Sequence, residues 1–165
     1  FLSGLHSRCA DQRVRQMLLD NLWDEEHGEE NHVELWLRFC DGLGLDRGNV
    51  LGGKPVAATE DLISTYRELT SDAPPSAGVA ALYAYESQVP AIASAKLEGL
   101  SRFYDMDDPR SVAFFEVHRT LDVEHSDAER EMVATMAEGG SYDAAVLDSV
   151  EAATKALWSF LDGVY

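Results

Sequence analysis

The stretch PRSVAFFEVHRTLDVEHSDAEREMVATMA, residues 109–137, decides the predicted fold. Asp108 can cap the start of a helix, and Pro109 suits the first helical position because the amide hydrogen that it lacks has no partner there anyway. At about 100° per residue, the stretch then keeps an apolar stripe as far as Ala137, just before Gly139 and Gly140. The pattern predicts one long amphipathic helix.

The same helical periodicity extends through the rest of the chain. Gly42 and Gly44 end a first segment, Thr59 is a good N-cap for a second, Pro90 predicts a kink in a third, and Ser141 opens the last. The predicted segments are 11–43, 59–69, 79–104 and 141–165. No segment shows the sustained alternation of β-branched residues that indicates a strand. The sequence therefore predicts an all-α protein whose helices pack as a bundle.

Composition limits the class of protein. The 165 residues contain 30 Asp and Glu against 13 Lys and Arg, a formal charge of −17. This charge repels phosphates and anionic head groups, so we expect no nucleic-acid partner and no membrane-surface role. Without a long apolar run or a signal peptide, we expect one cytoplasmic domain over residues 1–165. Cys9 and Cys40 cannot form a CxxC motif and are expected to be buried thiols.

Ionisable residues interrupt the apolar stripes of three predicted helices. The long helix carries His118, Asp122 and His125 at positions i, i+4 and i+7 of its stripe. Acids and imidazoles normally avoid a bundle core unless they are paired or bind a metal. The first and third helices carry Glu25, Glu29, His32 and Glu86 on their stripes.

These inward-facing groups predict a metal site. For any one of them alone, a hydrogen bond in the core is the commoner role, but three unpaired buried acids would each cost several kcal/mol, by the order of magnitude for buried charges. Mixed imidazole and carboxylate ligands suit iron or manganese and O2 chemistry better than a structural zinc ion. Periodicity does not separate Glu29 from Glu25, and Glu129 is either a partner of His125 or a solvated acid. The candidate ligands are Glu25, His32, Glu86, His118, Asp122 and His125.

Three stretches resemble one known family. NLWDEEHGEENHVELWLRF (21–39), ALYAYESQVPAIASAKLEGLSRFYD (81–105) and FFEVHRTLDVEHSDAE (114–129) are similar to the CADD-like (Chlamydia protein associating with death domains) haem-oxygenase-like dimetal oxidases. The resemblance covers nearly the whole chain, and matching it residue by residue selects Glu25 over Glu29. It implies a seven-helix bundle with an Fe/Fe or Fe/Mn pair among its core helices. We expect Glu86 to bridge or cap both ions, with His118, Asp122 and His125 at one end of the site and Glu25 and His32 at the other.

The resemblance also implies a reaction. Enzymes of this branch use O2 to make 4-aminobenzoate from a tyrosine of their own chain, with a lysine as the amino donor. Tyr85 and Lys96 match the tyrosine and lysine of that branch, although a core ring and a solvated helix lysine are equally open interpretations. The resemblance also implies an N-terminal helical region with another tyrosine, which has no counterpart among residues 1–165; if that region is absent, self-processing by that tyrosine is excluded.

Other functions remain open at this stage. The alternative within the family is N-oxygenation or oxidative C–C cleavage of an external amino acid or fatty acid, and a metal-free relative fits less well because all six ligand positions are filled. The alternative outside the enzymes is a helical protein-interaction module. We expect Trp158, Phe160 and Leu161 to dock on the bundle, with a homodimer as the other option.

Overall fold

The computed structural model describes residues 1–137 and 143–165, and no strand occurs among them. This confirms the all-α prediction. The described residues form nine helices: α1 (Leu2–Arg8), α2 (Gln12–Glu26), α3 (His32–Gly42), α4 (Arg47–Gly52), α5 (Ala57–Ser71), α6 (Pro75–Glu86), α7 (Val89–Tyr104), α8 (Pro109–Met136) and α9 (Ala144–Val164). The expected stop at Gly139 and Gly140 and the expected start at Ser141 lie outside the described residues.

Helix α8 is the long helix that the sequence predicts. It begins at Pro109, and the Asp108 carboxylate accepts hydrogen bonds from the Ser111 amide at 3.0 Å and the Ser111 hydroxyl at 2.9 Å. It ends at Met136, one residue before the expected end. Its 28 residues allow one helix to carry several candidate ligands in register.

The prediction of a single helix over 11–43 is wrong. Helix α2 ends at Glu26 and α3 begins at His32. Gly28 has a φ of +85°, a conformation that a helix cannot include. The Asn31 side chain then caps α3 by accepting a hydrogen bond from the Glu34 amide at 3.0 Å. Glu25 and His32 therefore belong to different helices.

The predicted kink at Pro90 is also wrong. Helix α6 ends at Glu86, and Pro90 lies in the first turn of α7, where the missing amide hydrogen breaks no helical hydrogen bond. Helix α5 begins at Ala57, after Val56 and not after Thr59.

The described structure divides into two compact units. Unit 1 comprises Phe1–Leu22, Pro55–Ser87 and His125–Tyr165, and unit 2 comprises Trp23–Lys54 and Gln88–Glu124. The single domain expected over 1–165 stays a prediction.

Unit 1 is built around α6, whose small residues allow close packing. Gly78 lies so near α1 and α5 that an added Cβ would be 2.6 Å from Leu5 Cδ2. The Ser149 hydroxyl of α9 donates a hydrogen bond to the Ala77 carbonyl at 2.8 Å. The core around these contacts includes Leu5, Val14, Leu18, Tyr66, Val79, Leu82, Met132, Val133, Val146 and Ala153.

Unit 2 has an aromatic core. Phe39 and Phe115 meet edge to face with ring centroids 5.0 Å apart, and Trp36 and Phe114 do so at 5.1 Å. Edge-to-face pairs of this kind stabilise a core beyond the area that they bury. Phe114 belongs to the part of α8 that carries His118, so the core fixes the helix that presents this histidine.

Several smaller predictions can be compared with the structure. Cys9 and Cys40 are free, buried thiols, as expected. The docking expected for Trp158 and Leu161 is wrong, because these side chains are 65% and 50% exposed; Leu157 is the residue of this turn that packs on the unit 1 core. Among the described residues, no helix has both the length and the apolar character needed to span a membrane.

Candidate metal site

Three of the predicted ligands come together in unit 2. Glu25 is at the end of α2, His32 opens α3, and His118 lies in the middle of α8. Each offers one ligand atom, and these atoms all lie within 4.8 Å of one another. Two ligand atoms on opposite sides of one ion are about 4.2 Å apart, from bond lengths of about 2.1 Å. Small side-chain adjustments would therefore let this group hold a single ion.

The tautomer of His118 is set by a carbonyl of its own helix. Its Nδ1 lies 2.6 Å from the Phe114 carbonyl oxygen, one turn earlier. A carbonyl only accepts, so Nδ1 must carry the hydrogen. The lone pair of this imidazole is then on Nε2, the arrangement in which a backbone carbonyl orients a metal-binding histidine.

The pair formed by His32 and Glu25 also fits a metal ion. His32 Nδ1 and Glu25 Oε2 are 2.9 Å apart, yet the His32 nitrogen, on a side chain that is only 8% exposed, lacks the alignment of a hydrogen bond. The His32 and His118 rings lie 4.5 Å apart, and the Phe114 ring lies 4.0 Å from that of His118. These residues fit a divalent ion bound by nitrogen and oxygen.

Two further candidates face each other in unit 1. His125 Nδ1 lies 3.9 Å from Glu86 Oε2, and both side chains are largely buried. The Asn21 amide nitrogen lies 3.5 Å from the same Glu86 oxygen. Asp122 is buried at 3% exposure and lies one turn before His125 on α8, so the two side chains share a face of that helix.

The expected grouping of ligands along α8 is wrong. His118 lies with Glu25 and His32, and not with Asp122 and His125 as expected. Seven residues separate His118 from His125, about 10.5 Å along a helix that rises 1.5 Å per residue. That distance is too long for both imidazoles to bind one ion.

The remaining predicted residues are more exposed. Glu29, which periodicity could not separate from Glu25, is exposed in the turn after α2. Tyr85 is 46% exposed at the end of α6, and Lys96 is exposed on α7. Their roles stay predictions.

Two of the buried polar residues of unit 1 that were not predicted from the sequence are Asn21 and Tyr66. Asn21 is 3% exposed and Tyr66 is 5% exposed. Asn21 lies three residues after Leu18, on the apolar stripe of α2, so the interrupted stripe was a signal that could have identified it. Tyr66 carries no such signal, because a tyrosine on an apolar stripe is an ordinary core residue. Glu129 is fully buried, which excludes the solvated position left open for it.

Comparisons with known proteins agree with this chemistry. A family model described as "Iron-containing redox enzyme" matches residues 1–158. A 4-aminobenzoate synthase of Nitrosomonas europaea is 45% identical over 100% of this chain and 71% of its own length. A 4-aminobenzoate synthase of Chlamydia trachomatis is 36% identical over 98% of this chain and 69% of its own. A pyrroloquinoline-quinone synthase of Cereibacter sphaeroides is 28% identical over 99% of this chain and 64% of its own.

These matches confirm the resemblance stated for the sequence, the haem-oxygenase-like helical class and the prediction of an oxidative enzyme. They support iron. The second ion, manganese and the six individual ligands stay predictions.

Proposed function

This chain belongs to the iron-containing redox enzyme family, and we propose that it is an O2-dependent oxidase that binds two metal ions, Fe/Fe or Fe/Mn, and forms 4-aminobenzoate. The observation that carries the proposal is the approach of Glu25, His32 and His118 ligand atoms to within 4.8 Å of one another. Glu86, Asp122 and His125 are the proposed ligands of the second ion.

When bound, the ions supply open coordination positions at which O2 can be reduced. The chain orients their ligands. His118 keeps its hydrogen on Nδ1, held by the Phe114 carbonyl 2.6 Å away, and directs Nε2 to the ion. The Phe114 ring, 4.0 Å from that imidazole, covers one side of it and keeps water from that side. Glu25 and Glu86 provide negative charge that offsets the charge of the ions.

The substrate that we propose is a tyrosine of the protein itself. Tyr85 directly precedes Glu86, and its ring is 46% exposed, so a reacting molecule can reach it. Lys96 is the proposed amino donor. The similarity over 98–100% of this chain to proteins named 4-aminobenzoate synthase supports 4-aminobenzoate as the product.

The first test is metal content. Protein expressed with ample iron is expected to contain about two ions per chain by elemental analysis, the number that two separate ligand groups require. Fewer than one ion per chain would contradict the proposal.

The second test is product formation without added substrate. Protein whose tyrosines carry 13C in their rings, loaded with iron and given a reductant and O2, is expected to release 13C-labelled 4-aminobenzoate, detected by mass spectrometry. Tyr85→Phe should abolish release, whereas Tyr83→Phe, two residues earlier on α6, should not. Equal release from both variants would exclude Tyr85, and unlabelled product would exclude a self-derived tyrosine.

A second candidate is the oxidation of an external small molecule. It is favoured by the similarity over 99% of this chain to a protein named pyrroloquinoline-quinone synthase. Under this alternative, O2 consumption by the iron-loaded protein should rise when a substrate such as an amino acid is added, and the Tyr85→Phe variant should retain it.

A further inference from the structure

The hydroxyl group of Tyr66 is buried inside unit 1, and the proposed reaction does not use it. Its ring is 5% exposed on α5 and packs in the core cluster that includes Leu82 of α6 and Met132 of α8. Among the described residues, its buried hydroxyl has no hydrogen-bond partner. A buried hydroxyl without a partner destabilises a protein, and phenylalanine would fill the same space without that cost.

Two members of this core cluster lie near acidic groups along their own helices. Leu82 is one turn before Glu86 on α6, and Met132 is three residues after the fully buried Glu129 on α8. Burial raises the pKa of Tyr66, and the nearby groups Tyr85, Glu129 and Glu86 raise it further. A phenol hydroxyl is a hydrogen-bond donor, and the Glu129 and Glu86 carboxylates lie near enough to act on it.

Asn21 is a second buried group of this kind in unit 1. Its amide nitrogen lies 3.5 Å from Glu86 Oε2, while its Oδ1 has no partner among the described residues. A buried water molecule is held by two to four polar partners, and a donor hydroxyl, an amide oxygen and carboxylates are groups that can act as such partners.

We propose that Tyr66 is a positioning residue: its hydroxyl and the Glu129 carboxylate bind one ordered water molecule, and this hydrogen-bonded group holds Glu86 and His125 in place for a metal ion. Glu129 lies one turn after His125 on α8, so a fixed Glu129 limits the space in which that imidazole turns. This inference rests on one part of the proposed function, namely that Glu86 and His125 bind a metal ion.

A double-mutant cycle tests the pairing. Tyr66→Phe, Glu129→Gln and the double variant are titrated with Co2+ by calorimetry, with Tyr83→Phe as a control that removes a hydroxyl elsewhere in unit 1. Each single variant is expected to weaken Co2+ binding on the order of tenfold, as loss of a group behind a ligand does. The double variant should bind Co2+ with the same affinity as the single variant that binds it less tightly, because both changes disrupt the same hydrogen-bonded network. Independent effects that multiply to about a hundredfold, or unchanged affinity in Tyr66→Phe, would overturn the inference.

The visible spectrum of the bound Co2+ separates positioning from packing. Tyr66→Phe should shift the absorption bands of bound Co2+, since these depend on ligand geometry, whereas Tyr83→Phe should not. A lower melting temperature with an unchanged Co2+ spectrum would mean that Tyr66 serves packing alone, and the inference would be wrong. Wild-type protein that binds no Co2+ would overturn the proposed function as well, whereas wild-type binding without coupling would overturn only this inference.

Discussion

At the scale of single residues, Glu25 and Glu29 have the same side chain and differ only in where it lies relative to His32. Glu25 Oε2 lies 2.9 Å from His32 Nδ1, whereas Glu29, four residues later, is exposed beyond the end of α2. An acid that binds an ion must reach the other ligands, so the two glutamates should respond differently to the same substitution.

We expect Glu25→Gln to lower metal content by about one ion per chain, because an amide oxygen replaces a charged carboxylate ligand. Glu29→Gln is the matched control and should retain the wild-type content. Elemental analysis of both proteins after identical purification measures the difference. Equal losses in the two variants would mean that general acidic charge, and not a site, binds the metal.

At the scale of helices, the burial of polar residues could be predicted better than the connections between helices. The polar interruptions of the stripes predicted that Glu86, Asp122 and His125 face inward, and their side chains are largely buried, because burial depends mainly on periodicity. The break after Glu26 could not be predicted that way, since the apolar period continues across it. It depends on the φ of +85° at Gly28 and on the cap at Asn31.

The break between α6 and α7 has a similar cause. Proline is tolerated in the first turn of a helix, so Pro90 is compatible with a new helix as well as with a kink. The sequence predicted that the helix is interrupted near Pro90, but not that the interruption is a break between two helices. Likewise, the sorting of His118 and His125 into different groups follows from their spacing of seven residues, but their partners come from other helices that the sequence does not pair.

Close helix packing in unit 1 makes a prediction for Gly78, and Gly99 of unit 2 is the control. A Cβ at Gly78 would lie 2.6 Å from Leu5 Cδ2 and 2.9 Å from the Leu69 carbonyl oxygen, whereas a Cβ at Gly99 would have no neighbour within 4 Å. Gly78→Ala should lower the free energy of unfolding by about 1–3 kcal/mol through overpacking. Gly99→Ala should raise it by about 0.5–1 kcal/mol through helix propensity. Urea denaturation measures both, and a stabilised Gly78→Ala would contradict the packing.

An ion-pair network joins α3 and α4 within unit 2. Arg47 donates to Glu34 and Asp41, both at 2.7 Å, and Arg38 donates to Glu34 at 3.0 Å. Hydrogen bonds from Arg47 and Arg38 lower the pKa of Glu34 to about 2, from an ordinary value of 4.5.

The lowered pKa of Glu34 determines the sign of a pH effect. A carboxyl whose pKa is lower in the folded state stabilises the protein above pH 4.5, and this stabilisation is lost as the pH falls from 4.5 toward about 2. Glu34→Gln should therefore show a smaller fall in melting temperature between pH 6 and pH 3 than wild type, at low salt. Glu60→Gln, an exposed acid in the first turn of α5, is the control. An identical fall in Glu34→Gln and wild type would contradict the role of this network.

At the scale of the whole molecule, the formal charge of −17 bears on metal binding. Carboxylates that are held close together repel one another, so an ion that binds them specifically stabilises the folded protein, whereas scattered surface acids attract any divalent cation weakly. The two cases differ in their concentration dependence and in their selectivity among ions.

We expect Mn2+ to raise the melting temperature in a saturable way. A single site stabilises the folded state by about 2.7 kcal/mol when the free ion is at 100 times its Kd. Mg2+ at the same concentration should give a much smaller shift, because imidazole ligands such as His32 and His118 favour transition metals over Mg2+. Glu25→Gln should reduce the Mn2+ shift and leave the Mg2+ shift unchanged. Equal shifts with Mn2+ and Mg2+ in wild type would show that the acidic surface, and not a site with nitrogen ligands, accounts for the stabilisation.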